Sequence, residues 1–174
     1  MKKVVFIILF LTLIAEQSIA QKGTSNYLSE KNGFKCFTLA TPITNYSDKV
    51  SQMKEDPDFY SVTDSTLLYI GDEIKLSHIF IKTFNDSIYS ISLMAKPQYK
   101  MPIRRVLVAA YGVWTYQPNR YMERYFWMSN DKKIELSFDG TGSQWVISTF
   151  KDMDLDIKRG KAEYQKSNTA ADDL

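Results

Sequence analysis

The chain has few of the residues from which most catalytic and metal sites are built. Its 174 residues include one cysteine, Cys36, and one histidine, His78. A single cysteine cannot form an internal disulfide, and together the two residues supply too few ligands for a structural zinc site. We expect Cys36 to be a small buried side chain near Phe34 and Phe37, because free cysteine behaves as a hydrophobe.

The scarcity of histidine also limits the enzyme classes. A Ser-His-Asp or Cys-His mechanism would have to use His78, which the predicted strand pairing places beside Leu76, Phe80 and Leu93 on an apolar face. The sequence contains no Gly-x-Ser-x-Gly, P-loop or Gly-x-Gly-x-x-Gly motif. Chemistry that uses only carboxylates, as in glycosidases, remains open. Otherwise these absences favour a protein without catalytic residues or a cofactor.

The charge balance and the length of the apolar runs argue against two further classes, nucleic-acid-binding proteins and membrane-spanning proteins. Without Lys2, Lys3 and Glu16, which fall in a predicted leader, 20 basic residues stand against 19 acidic ones. A chain so near neutrality has no electrostatic preference for nucleic acid. The apolar run Val4–Ala15 is shorter than the ~20 residues that cross a bilayer, and no later run is longer. We therefore expect no membrane span after the leader is removed.

The first twenty residues are typical of a secretory signal peptide. Lys2 and Lys3 precede the apolar run, and Ser18 and Ala20 are small residues at positions −3 and −1 of a cleavage site before Gln21. The prediction is an exported protein, periplasmic or extracellular. Gln21 directly after the cleavage site resembles exported proteins of the Bacteroidetes.

Composition predicts one folded domain after the signal peptide 1–20. Residues 21–33 are polar and aperiodic and are predicted to be a linker. Residues 34–160 are predicted to form a single domain, which is long enough to bury a core. Residues 161–174 are predicted to be a polar C-terminal tail.

The first half of this domain predicts one helix and three strands. Ser47 is a suitable N-cap for a helix over 48–55, which Pro57 would end. The strands are Thr66–Ile70, Ile74–Phe84 and Ile88–Met94. A two-residue turn at Asn85-Asp86 joins the last two strands and would place Phe80 opposite Ile91.

The second half predicts an amphipathic helix and a three-stranded meander. From Pro102 to Gly112 apolar residues recur at helical spacing. This stripe consists of Ile103, Val106, Leu107, Ala110 and Trp114. The meander strands are Tyr121–Ser129, Lys132–Asp139 and Gln144–Lys151, with Trp127 opposite Ile134. The predicted fold class is α+β: an antiparallel sheet with one or two helices packed on one face.

This order of elements resembles small exported α+β domains. Residues 46–150 combine a helix, a long hairpin, a helix closing in Tyr111-Gly112, a strand with Trp127, and a meander. The plan is similar to SmpA/OmlA-like and β-lactamase-inhibitor-like folds. The resemblance implies helices on one face of an antiparallel sheet.

The densest feature of the chain is an aromatic and basic segment over 111–127. The candidate binding residues in it are Trp114, Tyr116, Arg120, Tyr121 and Arg124. Rings beside arginines can stack on sugars or anchor a protein partner. Packing in the core is the competing explanation for much of the segment. The loop residues Tyr116, Arg120 and Tyr121 therefore carry most of the binding hypothesis.

We expect no metal site in this protein. As a minor alternative, four carboxylates near the C-terminus suggest a calcium-binding loop. Asp152, Asp154, Asp156 and Glu163 have the spacing of loop positions 1, 3, 5 and 12. Ile157 stands where the loop needs glycine. The same alternation is typical of an edge strand with one wet face.

The sequence as a whole predicts a secreted or periplasmic, non-catalytic binding, inhibitor or envelope-accessory domain. Its partner would be an envelope protein, a secreted protein or a glycan. Two alternatives remain: an enzyme that uses carboxylates on a cell-wall or polysaccharide substrate, and an assembly protein that uses exposed sheet edges.

Overall fold

An antiparallel sheet forms the centre of the molecule. In the computed structural model, which describes residues 23–171, its strands are β3 (Val50–Met53), β4 (Asp56–Val62), β5 (Tyr69–Ile70), β6 (Ile74–Phe84), β7 (Ser87–Ala95), β8 (Arg124–Met128), β9 (Ile134–Asp139) and β10 (Val146–Asp152). Seven of them follow in the order β3-β4-β6-β7-β10-β9-β8, and β5 pairs only with β6. The predicted signal peptide lies outside the described residues.

Three α-helices and a small hairpin complete the part of the chain that the structure describes. The helices are α1 (Ser25–Lys31), α2 (Lys100–Tyr111) and α3 (Met153–Ala171). The hairpin pairs β1 (Gly33–Phe34) with β2 (Phe37–Thr38). The predicted α+β class is confirmed. Within residues 23–171, no helix is both long enough and apolar enough to cross a membrane.

The core lies between one face of the sheet, here called the inner face, and the elements α1, α2 and β1–β2. Phe150 on β10 is buried on this face, and the rings of Tyr111 and Phe34 lie 6.1 and 6.3 Å from its ring. Helix α2 contributes Ile103 and Leu107, both buried. Val106 on the predicted stripe is instead exposed, and Val108 and Tyr111 pack against the core beside Ile103 and Leu107.

Two irregularities shift the predicted register of β6 and β7. The turn at Asn85-Asp86 is confirmed, with positive φ at both residues, as a two-residue hairpin turn requires. Beyond it Tyr89 has no partner in the ladder, so Phe80 lies opposite Ser92 rather than Ile91. A second shift at Ser77 restores the original register toward the far end of the strands.

The predicted apolar position of His78 is wrong for the same reason. Ser77 is the unpaired residue of β6, and an unpaired residue reverses which of the following side chains face the core. Ile79 and Ile81 are therefore buried, whereas His78 is exposed and Phe80 is half-buried on the opposite face.

The meander keeps its predicted core face but not its predicted register. Trp127 lies opposite Leu136 instead of Ile134, and Tyr125 lies opposite Phe138. The turn is two residues longer than expected. A shift of two preserves side-chain alternation, so all four of Tyr125, Trp127, Leu136 and Phe138 are still buried.

The N-terminal part differs most from the prediction. The helix expected over 48–55 is wrong, because this segment forms the hairpin of β3 and β4. The linker expected over 21–33 contains α1, whose Leu28 is completely buried. Cys36 is exposed rather than buried, because it lies in the turn between β1 and β2.

The predicted strand and tail at the C-terminus are replaced by the helix α3. The side chain of Asp152 accepts a hydrogen bond from the Leu155 amide at 2.8 Å, as an N-cap does. A continuous helix cannot form the predicted calcium loop of Asp152, Asp154, Asp156 and Glu163. Among residues 23–171, no cluster of three potential metal ligands occurs.

One buried hydroxyl offers a stabilising substitution. Ser148 on β10 faces the core, and its Oγ has no hydrogen-bond partner among the described residues. An unpaired buried hydroxyl is unfavourable, so Ser148→Ala is expected to raise the free energy of unfolding by about 1 kcal/mol. Urea denaturation of both proteins would measure this. A loss of stability would show that the hydroxyl is hydrogen-bonded in solution.

Candidate binding face

The outward-facing side of the sheet is only partly covered. Helix α3 lies over one end of it, where Lys151 and Tyr89 contact the helix. The remainder is here called the open face. Its middle row crosses five strands through Phe80, Ser92, Thr149, Ser137 and Phe126. The next row contains His78, Met94, Ile147, Asp139 and Arg124.

Four rings form a continuous aromatic strip at the β4–β6 side of the open face. Phe59 lies 5.0 Å from Phe80, ring centre to ring centre. Phe80 stacks on His78 at 5.5 Å with a 14° angle between planes, and His78 meets Trp145 edge-on at 5.9 Å. His78 is exposed and the other three are half-buried. These contacts hold the rings in one orientation on a rigid sheet.

A lysine lies over each end of the aromatic strip. The Lys82 ammonium is 5.2 Å from the centre of the Phe59 ring, and the Lys96 ammonium is 4.4 Å from that of Trp145. Both lysines are exposed. The ends of the strip are therefore positively charged as well as aromatic.

The centre of the middle row is made of hydroxyl groups, whereas the next row has Met94 and Ile147 at its centre. The hydroxyls of Ser92 and Thr149 lie 3.1 Å apart, and Ser137 continues the row on β9. All three side chains are half-buried. The middle row thus presents hydroxyls between an aromatic residue at each end.

The far end of the open face includes two of the sequence-predicted residues. Tyr116 is 60% exposed, and its ring lies 6.0 Å from that of Phe126. Its main chain pairs with Phe126 and closes the outer edge of β8. Arg124 donates from Nε to Asp139 at 3.0 Å. Burial favours the neutral acid, but hydrogen bonds from Thr141 and Arg124 outweigh it and lower the pKa of Asp139.

The other predicted residues are elsewhere. The ring of Trp114 packs on Tyr125 at 4.3 Å, and Tyr125 belongs to the inner face. The Arg120 guanidinium lies over the ring of Tyr121, 4.8 Å from its centre, at an exposed loop tip. The structure thus brings Tyr116 and Arg124 to the open face, packs Trp114 on an inner-face ring, and leaves Arg120 and Tyr121 at an exposed loop tip.

Sequence reasoning missed the whole aromatic strip. The sequence places Phe59 in no predicted element, since the expected helix ends before Pro57, and it places Phe80 and His78 on the apolar face. Of the four rings, only that of Trp145 is indicated by the sequence. Trp145 and Ile147 alternate with Val146, Ser148 and Phe150, so they lie on the face opposite to these buried residues. The strip becomes visible once the unpaired residues in the β6–β7 ladder are known.

A polar cleft of about 330 Å³ lies between α3 and the β6–β7 turn. Its acidic lining residues are Asp56, Asp58, Asp86 and Glu163, and its basic ones are Lys82, Arg159 and Lys166. Burial raises the pKa of Glu135, but Glu135 does not line this cleft. Glu135 therefore does not form, with the carboxylates of this cleft, the acid pair that the enzyme alternative requires.

Ionic contacts attach α3 to the sheet. Asp156 pairs with Lys151 at 3.3 Å and with Arg159 at 2.9 Å, and the Arg159 guanidinium lies over the Tyr89 ring. Burial favours the neutral acid, but hydrogen bonds from Arg159 and Lys151 lower the pKa of Asp156 below its ordinary value of 3.8. A lowered folded-state pKa means that the charged Asp156 stabilises the fold above about pH 4.

This stabilisation should disappear as pH falls from about 4 through the lower pKa of folded Asp156. Asp156→Asn is expected to cost about 1 kcal/mol of stability at pH 7 and almost nothing at the acid end of this range. Denaturation of both proteins as a function of pH measures the difference. The charge of Asp156 also helps to raise the pKa of Glu135, so both proteins are compared in a Glu135→Gln background. A difference that persists at the acid end would show that Asp156 acts through packing instead.

No family model matches this chain, and neither a curated protein nor a solved structure does so. Its function must therefore be inferred from the geometry of the open face. The rings of the aromatic strip and the hydroxyls of the middle row are the groups that a ligand would meet there.

Proposed function

We propose that this protein is an exported, non-catalytic binding domain that holds an extended ligand across the open face of its sheet. The aromatic strip carries the proposal. Four rings contact one another along the open face, where His78 is exposed and the other three are half-buried. Export is supported by the signal-peptide pattern of residues 1–20.

The strip has the physical properties of a binding surface. Contiguous exposed aromatic groups on a soluble protein mark interaction sites more often than isolated ones do. Phe80 and His78 lie on β6 and are already ordered by mutual stacking. A ligand would therefore lose little binding energy to side-chain ordering.

The chemistry of the open face supports binding rather than catalysis. The hydroxyls of Ser92 and Thr149 bond to each other instead of to a base. His78 packs between two rings, and Asp139 is paired with Arg124. This arrangement provides no nucleophile activated by a neighbouring base.

Assembly through sheet edges has less support. The outer edge of β8 is closed by residues 115 and 116, and the opposite edge strand, β3, has only four residues with an irregular register. Short and irregular edges discourage strand addition. β10 is not an edge, because it lies between β7 and β9.

A double variant tests the proposal. Phe80→Ala with Trp145→Ala removes two rings of the strip, and Arg120→Ala with Tyr121→Ala removes two exposed loop-tip groups as a matched control. Both are compared with the mature protein for retention of neutral and acidic polysaccharides, single-stranded DNA and solubilised envelope proteins. Truncating a ring at a binding hot spot costs about 2 kcal/mol, or roughly 30-fold in affinity.

We expect the strip variant to lose the ligand and the control to keep it, with similar unfolding temperatures for both. Retention that survives in the strip variant and is lost in the loop-tip control would move the site to the loop. Retention unchanged in both variants would refute the open face as the binding surface.

A further inference from the structure

Resting on the proposed function, we infer that the ligand of the open face is an acidic polysaccharide whose chain runs across the strands. The inference combines three observations: hydroxyls at the centre of the middle row, rings at both ends, and uncompensated positive charge beside the aromatic strip.

The polar centre of the middle row favours a hydroxyl-rich ligand. Protein interfaces usually have an apolar centre surrounded by a polar rim. The middle row of the open face has the reverse arrangement, with Ser92, Thr149 and Ser137 between Phe80 and Phe126. Serine and threonine hydroxyls both donate and accept hydrogen bonds, as sugar hydroxyls do.

The rings at the two ends define the reach of the site. A flat aromatic ring can pack against the C–H face of a pyranose. Phe80 on β6 and Phe126 on β8 are separated by four strand spacings, which is about 19 Å. A ligand that contacts both ends must therefore be an extended chain of several sugars rather than a monosaccharide.

The charge of the face selects an acidic chain. Lys96 lies over Trp145 with no carboxylate partner among the described residues, and Lys82 lies over Phe59. Lys82 also borders the cleft that contains Asp56 and Asp58, so Lys96 contributes more of the net charge. Asp139, the one carboxylate in the two rows, is neutralised by Arg124. Carboxylates or sulfates on the ligand would complement this surface.

The test compares acidic with neutral polysaccharides and includes one pair, polygalacturonate and its methyl ester, with the same backbone. Binding of the mature protein is measured by calorimetry with polygalacturonate, alginate and chondroitin sulfate, and with methyl-esterified polygalacturonate and dextran as neutral probes. Single-stranded DNA and an acidic peptide are tested in parallel. We expect at least one acidic polysaccharide to bind at least tenfold more tightly than the neutral chains. Its affinity should rise with chain length until the chain spans about 19 Å.

Two lysine variants separate specific charge from net charge. Lys96→Gln removes the cation over Trp145. Lys31→Gln removes a cation 5.5 Å from the ring centre of Tyr27 on α1, on the other side of the molecule. The first is expected to lower affinity for the acidic chain about tenfold, and the second to leave it unchanged.

The remaining outcomes are distinct. Equal binding of acidic and neutral chains would overturn the charge argument. If only the DNA or the peptide binds, and the double variant Phe80→Ala with Trp145→Ala loses this binding, the polysaccharide inference is overturned. The proposed function then still holds. Binding that is unaffected by that double variant would refute both. Failure of every probe to bind would refute the polysaccharide inference, and the retention experiment would then decide the proposed function alone.

Discussion

Replacing Trp127 by alanine is expected to lower the free energy of unfolding by about 3–5 kcal/mol. The side chain is 2% exposed on β8, and its Nε1 donates to the Gly112 carbonyl at 2.8 Å. The substitution removes a large buried group and leaves a cavity between the meander and the end of α2. Chemical denaturation followed by far-ultraviolet circular dichroism measures the loss.

A phenylalanine variant separates the two contributions of Trp127. Trp127→Phe keeps a buried ring but loses the hydrogen bond to Gly112, so it is expected to cost more than 1 kcal/mol but less than alanine does. If Trp127→Ala costs under 1 kcal/mol, the residue is not buried in solution as the structure places it. Equal losses in both variants would assign the whole effect to the hydrogen bond.

Replacing Gly33 by alanine is expected to disrupt the hairpin of β1 and β2. Gly33 has φ +147°, a conformation that side chains rarely adopt, and an added Cβ would lie 2.1 Å from the Phe37 carbonyl oxygen. The clash is with main chain, so it cannot be relieved by rotating a side chain. We expect the free energy of unfolding to fall by about 3 kcal/mol or more. The clash would displace β2, and β2 contributes the buried Phe37 to the core.

Gly71 provides the matched control for Gly33. It also has positive φ, +58°, but no atom lies within 4 Å of an added Cβ. Gly71→Ala is therefore expected to cost only about 1–2 kcal/mol, the penalty of the left-handed conformation itself. Thermal and urea denaturation of both variants isolate the steric part. If both substitutions cost the same, the close approach of Gly33 and Phe37 does not exist in solution.

The binding hypothesis follows from a surface that the sequence only partly indicated. The aromatic and basic segment 111–127 divides between two faces: Tyr125 and Trp127 enter the core, and Tyr116 and Arg124 reach the open face. Sequence reasoning could recognise the density of rings in this segment. It could not assign each ring to a face, because that depends on where strand pairing begins.

Long segments with clear periodicity were the most predictable parts. The strand Ile74–Phe84 and the turn Asn85-Asp86 are confirmed, since alternation and turn chemistry are local properties. Helix α2 also ends at Tyr111, followed by Gly112, as expected. The helix expected over 48–55 is wrong because its local capping signals were outweighed by pairing of β3 with β4.

The sequence by itself determined the α+β class, most of the core residues of β8 and β9, and the scarcity of catalytic groups. These depend on composition and on the alternation of side chains along single strands. Only the tertiary structure decided which residues share the open face. One unpaired residue on β6, Ser77, exchanges the faces of that strand, and pairing between distant strands brings Phe59, Phe80, His78 and Trp145 into contact. Neither effect has a signal within a short stretch of chain.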